Sequence, residues 1–260
     1  MTWARKRQII YVLILLSFFL VIGFFVSYPY LHTAPSCFNL KQDKNETGID
    51  CGGVCTISCN AEVEPISILW SRIFQVVPGR YNAVAYLENK NTDDMVDKIN
   101  YTFTFADKDN VTIGKRTGET FVPPASRFAV FEPAIDVGDS VPVYTTFEFT
   151  ENPIWIKVPQ AKIDQLKLSI NNIDLENETT NPHMSASIKN ESLFVIPNIN
   201  IVTILYNKAG DAVSTSRTYL DSLNAGASTS IDFTWPKPFT EPIVTKEIIP
   251  MYNISDVNFR

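Results

Sequence analysis

The sequence predicts an all-β protein: two tandem Ig-like β-sandwiches behind an N-terminal transmembrane helix and a short disulfide-stapled segment. Three observations carry this expectation. The first is an uncharged apolar run from Ile9 to Val26. The second is a group of four cysteines, Cys37, Cys51, Cys55 and Cys59, close behind it. The third is a period-2 recurrence of β-branched and aromatic residues between Asn, Asp, Gly and Pro turns, with no convincing amphipathic helix of ten or more residues from Glu62 to Arg260. The expected layout is a basic tail over 1–8, the anchor over 9–30, the cysteine-rich segment over 31–62, and sandwiches over 63–160 and 161–260.

The anchor comes first because it decides the compartment. Ile9–Val26 is eighteen residues without a charge, at the lower end of what crosses a hydrocarbon core of about 30 Å. Trp3 on one side and Tyr28 and Tyr30 on the other occupy the places of interfacial aromatics. Arg5, Lys6 and Arg7 flank the N-terminal end, and no basic residue follows until Lys41. The positive-inside rule therefore places the N-terminus in the cytoplasm and the body outside. A cleaved signal peptide would have an apolar region of about 7–15 residues and a small-x-small site; this core is longer and runs into bulky SYPYLH. A lipoprotein would carry Leu three residues before its cysteine, where APSC has none. The reading is an uncleaved signal-anchor, with the membrane as a partner through residues 9–30.

Outside the cytoplasm, an even number of clustered cysteines reads as disulfides. The spacing C-x13-C-x3-C-x3-C leaves three connectivities open. It does not match the paired C-x2-C units of structural zinc sites, and neither histidine, His32 or His183, stands at ligand spacing. A segment of about 30 residues cannot bury enough core alone, so a staple makes physical sense. Asp43, Asn45, Thr47, Gly48 and Asp50 copy the opening of a calcium loop, but its twelfth position is Val54 and not a bidentate Glu. The main reading is a polar turn without metal, with calcium as the minority one.

The stretch CFNLKQDKNETGIDCGGVCTISC resembles the short Asp-Cys-Gly-Gly-x-Cys motif found beside the anchors or Ig-like modules of secreted microbial surface proteins. That resemblance implies an exported juxtamembrane knot and no activity.

After NAEVEPIS (60–67) the pattern becomes period-2, with the strand-like runs RYNAVAYLEN, DKINYTFTFAD, ETFVPP, RFAVFEP, YTTFEFT and PIWIKVP, then QLKLSINNIDL, MSASIKNES, NINIVTILYN, STSIDFTW and PIVTKEIIPMY. Strands at this spacing without interleaved helices indicate sandwiches. The halves align at an offset of about one hundred residues, with AVAYLENKN, INYTFTFADKDN and ASRFAVFE matching SASIKNES, INIVTILYNKAGD and ASTSIDFT. This repeated unit resembles the FxLYD-type and LEA14-like families of exported sandwiches, most clearly in the second copy. There Leu205-Tyr206-Asn207 and Gly210 fill the family's turn, whereas the first copy has Phe105-Ala106-Asp107 and no glycine. The resemblance implies a seven-strand sandwich and transfers no catalytic residue.

The chemistry that the sequence excludes is broad. A net charge of −6 on 260 residues does not suit nucleic-acid binding, which needs concentrated Lys and Arg. There is no G-x-S-x-G, P-loop, H-E-x-x-H or dinucleotide fingerprint. Carboxylate pairs such as Asp93-Asp94 sit in turn-like sequence and are expected to be solvated, and His183 stands beside Pro182 at a strand start, which reads as a surface turn. Trp70, Trp155 and Trp235 lie in strand-like runs, where core packing is the default; Trp235-Pro236-Lys237-Pro238-Phe239 is an extended segment near a sandwich end, where loops carry recognition, but packing against the neighbouring domain is its leading reading. Six N-x-S/T sequons stand at Asn45, Asn100, Asn110, Asn177, Asn190 and Asn253. The expectation is a non-catalytic module, without cofactor or small-molecule substrate, that binds a protein or envelope polymer or spaces it from the membrane. An accessory subunit of a secretion or pilus assembly is the alternative in the same territory, and an exported hydrolase the alternative from another class.

Overall fold

A computed structural model describes residues 3–31 and 36–259; His32 lies outside the described residues. The chain divides into two compact units, residues 1–55 and 56–260.

The first unit opens with helix α1 (Trp3–Leu31). Its segment Arg5–Tyr28 is long and apolar enough to cross a membrane, and none of it is buried against protein. Apolar side chains surround α1 on all sides, as suits a helix solvated by lipid. Behind it, residues 36–55 form a knot of turns held by the disulfide Cys37–Cys55, with a Cα–Cα distance of 5.7 Å. Cys51 and Cys59 are disulfide-bonded as well, and no described cysteine is free.

The second unit is all β apart from one short helical turn, α2 (Gln160–Ile163), and a 3-10 turn at Ile254–Asp256. Its first sandwich pairs β1 (Ser67–Val77), β2 (Arg80–Asn89) and β5 (Ser126–Asp136) in one sheet. The other holds β4 (Thr112–Val122), β3 (Asp94–Ala106) and β6 (Tyr144–Phe149), with β7 (Trp155–Lys157) on the first residues of β3. The sandwich begins earlier than residue 63: Ile57 bridges Ile156, Ser58 N–H donates to Trp155 O, and the Ser58 hydroxyl donates to the Asp94 carboxylate, which is therefore buried at the start of β3 and not in a solvated turn as the sequence suggests.

The second sandwich contains β8 (Leu168–Glu176), β9 (His183–Asn190) and β12 (Ser228–Thr234) in one sheet. Its other sheet contains β10 (Ile196–Tyr206), β11 (Ala212–Leu223) and β13 (Thr245–Met251). Sheet orders correspond one to one: β1-β2-β5 matches β8-β9-β12, and β4-β3-β6 matches β11-β10-β13. Each quoted run overlaps one of these strands, whereas β11 and the first half of β4 lie outside them and β1 is marked only by the strand-like setting of Trp70.

Local hydrogen bonds repeat as well. Asn89, at the end of β2, donates to Asp94 O and Pro123 O and accepts from Asn91 N–H; Asn190, at the end of β9, donates to Phe194 O and Leu223 O and accepts from Ser192 N–H. The hairpin after β3 turns on Asp107, whose carboxylate accepts from Asp109 and Val111 N–H. The hairpin after β10 turns on Asn207, which accepts from Ala209 and Asp211 N–H. In the hairpin after β3, Asn110 takes the same left-handed backbone (φ 61°) that Gly210 takes in the hairpin after β10 (φ 84°). Asparagine tolerates that region where most residues do not.

The sandwiches share a core. Along β2, Ala83, Ala85 and Leu87 pair with Glu132, Val130 and Phe128 and face Phe103 and Phe105 inside the first sandwich. The alternate residues Val84 and Tyr86, with Ala129 and Phe131 of β5, face the other way and pack on Val202 and Ile204 of β10 and Ile249 and Met251 of β13. Both β2 and β10 are thus buried on both faces. Rim contacts close the seam, with Arg72 paired to Asp211 at 3.2 Å, the Arg217 guanidinium 5.4 Å over the Phe131 ring, and Asn253 Nδ2 donating to Asp97.

Candidate functional site

Three places merit a chemical reading: the knot, the seam between sandwiches, and the cleft beside Trp235.

In the knot, acidic side chains hold the turns together. Asp50 accepts the N–H groups of Asn39 and Leu40 at 2.9 and 2.8 Å, and Asp43 accepts from Ser36 N–H and Asn39 Nδ2. Glu46, only 8% exposed, accepts from the N–H groups of Asp43 and Asp50. Two carboxylates of the calcium-like run are therefore engaged by the chain's own amides, while Asn45 and Thr47 are exposed. Among the described residues, one group of cysteine and acidic ligand atoms converges, Cys37, Glu46 and Cys55. Its sulfurs are tied up in the disulfide, so they have no thiolate to offer a metal.

The glycine pair has a structural reason. Gly52 and Gly53 both adopt left-handed backbone (φ 72° and 59°), and a Cβ on Gly53 would collide with the Asn45 carbonyl oxygen, which already accepts from Val54 N–H. Gly53→Ala is expected to prevent closure of the knot. Non-reducing electrophoresis should then show mispaired or free thiols where the parent chain shows none.

At the seam, Glu247 accepts from Tyr86 Oη at 2.6 Å and Tyr206 Oη at 2.8 Å. Within the first sandwich, buried Glu132 accepts from Tyr101 Oη at 2.7 Å and Arg116 Nε at 3.0 Å. Burial, and then the hydrogen bond to the neighbouring carboxylate, push these three phenols well above the ordinary tyrosine range; burial alone raises Tyr252. A group whose folded pKa lies above its unfolded value of about 10 contributes stability that is complete below that pH and lost as pH rises towards the folded value. The urea midpoint should therefore fall above about pH 10. In the same range, four of the ten tyrosines should ionise late and together with unfolding. One simple step for all ten, with the β signal intact, would contradict this arrangement.

The histidine offers little chemistry. His183 Nε2 lies 3.0 Å from Asp232 Oδ1 on an open sheet face, with side chains 41% and 56% exposed. A base placed there works in bulk water, without the sheltered geometry that general-base catalysis uses.

Trp155 is in the first sandwich's core, Trp235 in the second's, and Trp70 is half-buried and tilted against Tyr86 at 5.5 Å. Trp235 Nε1 donates to Thr215 O at 3.2 Å, and its ring meets Phe239 edge-on at 5.3 Å. The segment 235–241 lines a cleft of about 370 Å³ together with Phe74, Gln75 and Asn82 of the first sandwich and Ser214 of β11. That size, with a few amide and hydroxyl groups among aromatic and proline walls, lies in the range of ligand clefts. The loop is legible in the sequence as a Pro-bracketed extended segment, whereas its approach to Phe74, Gln75 and Ser214 is not, because no spacing rule relates residues so far apart in the chain. Of the sequon asparagines, Asn190 is fully buried, whereas Asn45, Asn110 and Asn177 are exposed in turns.

Comparison with protein-family models and with curated proteins finds no match. Among solved structures, red sea bream transglutaminase aligns at 10% identity and a TM-score of 0.25, covering 72% of this chain and 29% of that one. Vicilin from hazelnut (Corylus avellana) aligns at 9% identity and a TM-score of 0.20, covering 68% of this chain and 76% of that one.

Proposed function

We propose that this chain is a non-catalytic, single-pass protein whose anchor is retained, with Arg5, Lys6 and Arg7 in the cytoplasm and the sandwiches on the outer side. Its role is to present two copies of one sandwich unit at the cell envelope, binding a protein or polymer there or spacing it from the membrane. The single observation that carries the reading is the fused core. Val84 and Phe131 of one sandwich pack on Val202 and Ile249 of the other, so the pair forms one packed body and not two beads on a linker. Shared strand orders and the paired Asn89 and Asn190 corners support duplication of one unit. Buried carboxylates Glu46, Asp94 and Glu132 are spent on structural hydrogen bonds, which fits a binding role better than hydrolysis. The cleft beside Trp235 is the place where a ligand would sit.

The test is partner capture from intact cells by cross-linking, followed by solubilisation and identification of what co-purifies in stoichiometric amount. A partner lost on Phe239→Ala and Gln75→Ala supports the reading. Turnover of ester or glycoside substrates, abolished by one serine or carboxylate change, would overturn it.

A further inference from the structure

We propose that the disulfide knot of residues 36–55 docks onto the bilayer, with Phe38, Leu40, Ile49 and Val54 seated at the level of the lipid headgroups and upper acyl chains. The inference rests on α1 spanning the membrane.

Four large apolar side chains point into solvent from a segment of only twenty residues. Phe38 and Leu40 are each 83% exposed, Val54 72% and Ile49 63%. Each stands next to a clasp: Phe38 and Val54 adjoin the Cys37–Cys55 disulfide, while Leu40 and Ile49 meet at the Asp50 carboxylate, which binds the Leu40 amide. Leu40 also adopts a left-handed backbone (φ 57°), a conformation that leucine takes only when its surroundings impose it. The knot thus spends its acidic groups inward to hold apolar residues outward, the reverse of what a small water-soluble turn needs.

Chain length selects the occupant. Seven residue steps separate Leu31, the last residue of α1, from Phe38, so even a fully extended tether holds Phe38 within about 25 Å of the helix end. A surface leashed so closely to a membrane-spanning helix meets lipid before it meets any other apolar phase. Interfacial segments bury their apolar face about 5–10 Å into the headgroup boundary. Lys41 and Lys44, both exposed beside the patch, suit phosphate headgroups.

The test uses the full chain, oxidised, in phosphatidylcholine–phosphatidylglycerol vesicles, with a benzophenone amino acid replacing Phe38 or, in a second variant, Val54. Phe19 inside α1 serves as the positive control and Leu193, 88% exposed on the second sandwich, as the negative one. Non-reducing electrophoresis verifies that the disulfides have formed. Lipid adducts after irradiation are expected at positions 38 and 54 at about ten times the Leu193 yield, as transfer of such side chains from water implies. Adducts at Phe19 with none above the Leu193 level at 38 and 54 would overturn the proposal while leaving the anchor intact. No adduct at Phe19 would remove the spanning helix and the proposal with it. In native membranes, a protein adduct in place of lipid at position 38 would assign the patch to a partner and also overturn it.

Discussion

Asn190→Ala is expected to cost about 3–5 kcal/mol, near the upper end for a single side chain, because it strands several buried polar groups at once. Asn190 is fully buried; it donates to Phe194 O at 2.8 Å and Leu223 O at 2.9 Å and accepts from Ser192 N–H and Oγ at 2.9 and 2.6 Å. Alanine leaves both carbonyls and the Ser192 amide without that partner and opens a small void. Asn89→Ala should behave alike, since Asn89 donates at 2.8 and 2.9 Å to Asp94 O and Pro123 O and accepts from Asn91. Asn190→Asp is the discriminating variant: it keeps the size but turns an acceptor towards two carbonyls, so it should be no better than alanine. Thermal unfolding checks this, with an expected fall of roughly 10 °C for each alanine variant. A variant within a degree of the parent would mean that the corner is not what joins the ends of β2 and β9 to their neighbours.

Ile204→Asp is expected to cost more than about 4 kcal/mol, because it places an unpaired charge in the fused core beside Glu247. Ile204 is fully buried and pairs with Glu247 across β10 and β13, on the face that meets the first sandwich. The parent should unfold in one cooperative transition, both sandwiches together. In the variant the seam opens, and trypsin should cut after Lys162, in the connection between β7 and β8, much faster than in the parent. Two separate transitions in the parent, or unchanged cleavage in the variant, would show that the sandwiches are independent.

What was legible in the sequence follows from how each strand is buried. β9 buries every second residue and was read from its alternation. β1 is legible only around Trp70, because register shifts between Ile68 and Trp70 and between Gln75 and Val77 break its period. β11 escaped because it is rich in Ser and Thr, and Thr215, a polar residue, is one of its buried positions, donating to Thr203 O at 2.8 Å. The seam was visible in principle. AVAYL in β2 and NIVTIL in β10 are nearly unbroken apolar runs, the signature of strands covered on both faces. Periodicity marks them as strands but cannot say what covers the second face. The knot's cysteines and glycines could be read as a staple, yet the outward placement of Phe38 and Leu40 depends on the Asp50 clasp, which no spacing rule encodes.

The measurement that bears most directly on the proposal of an outward-facing, stapled and anchored protein is labelling of intact cells with a membrane-impermeant thiol reagent, with and without prior reduction by an impermeant phosphine. The expected result is no label before reduction and label on Cys37, Cys51, Cys55 and Cys59 after it, on a chain that stays with the membrane fraction. Label without reductant, or label only after the cells are permeabilised, would contradict the account.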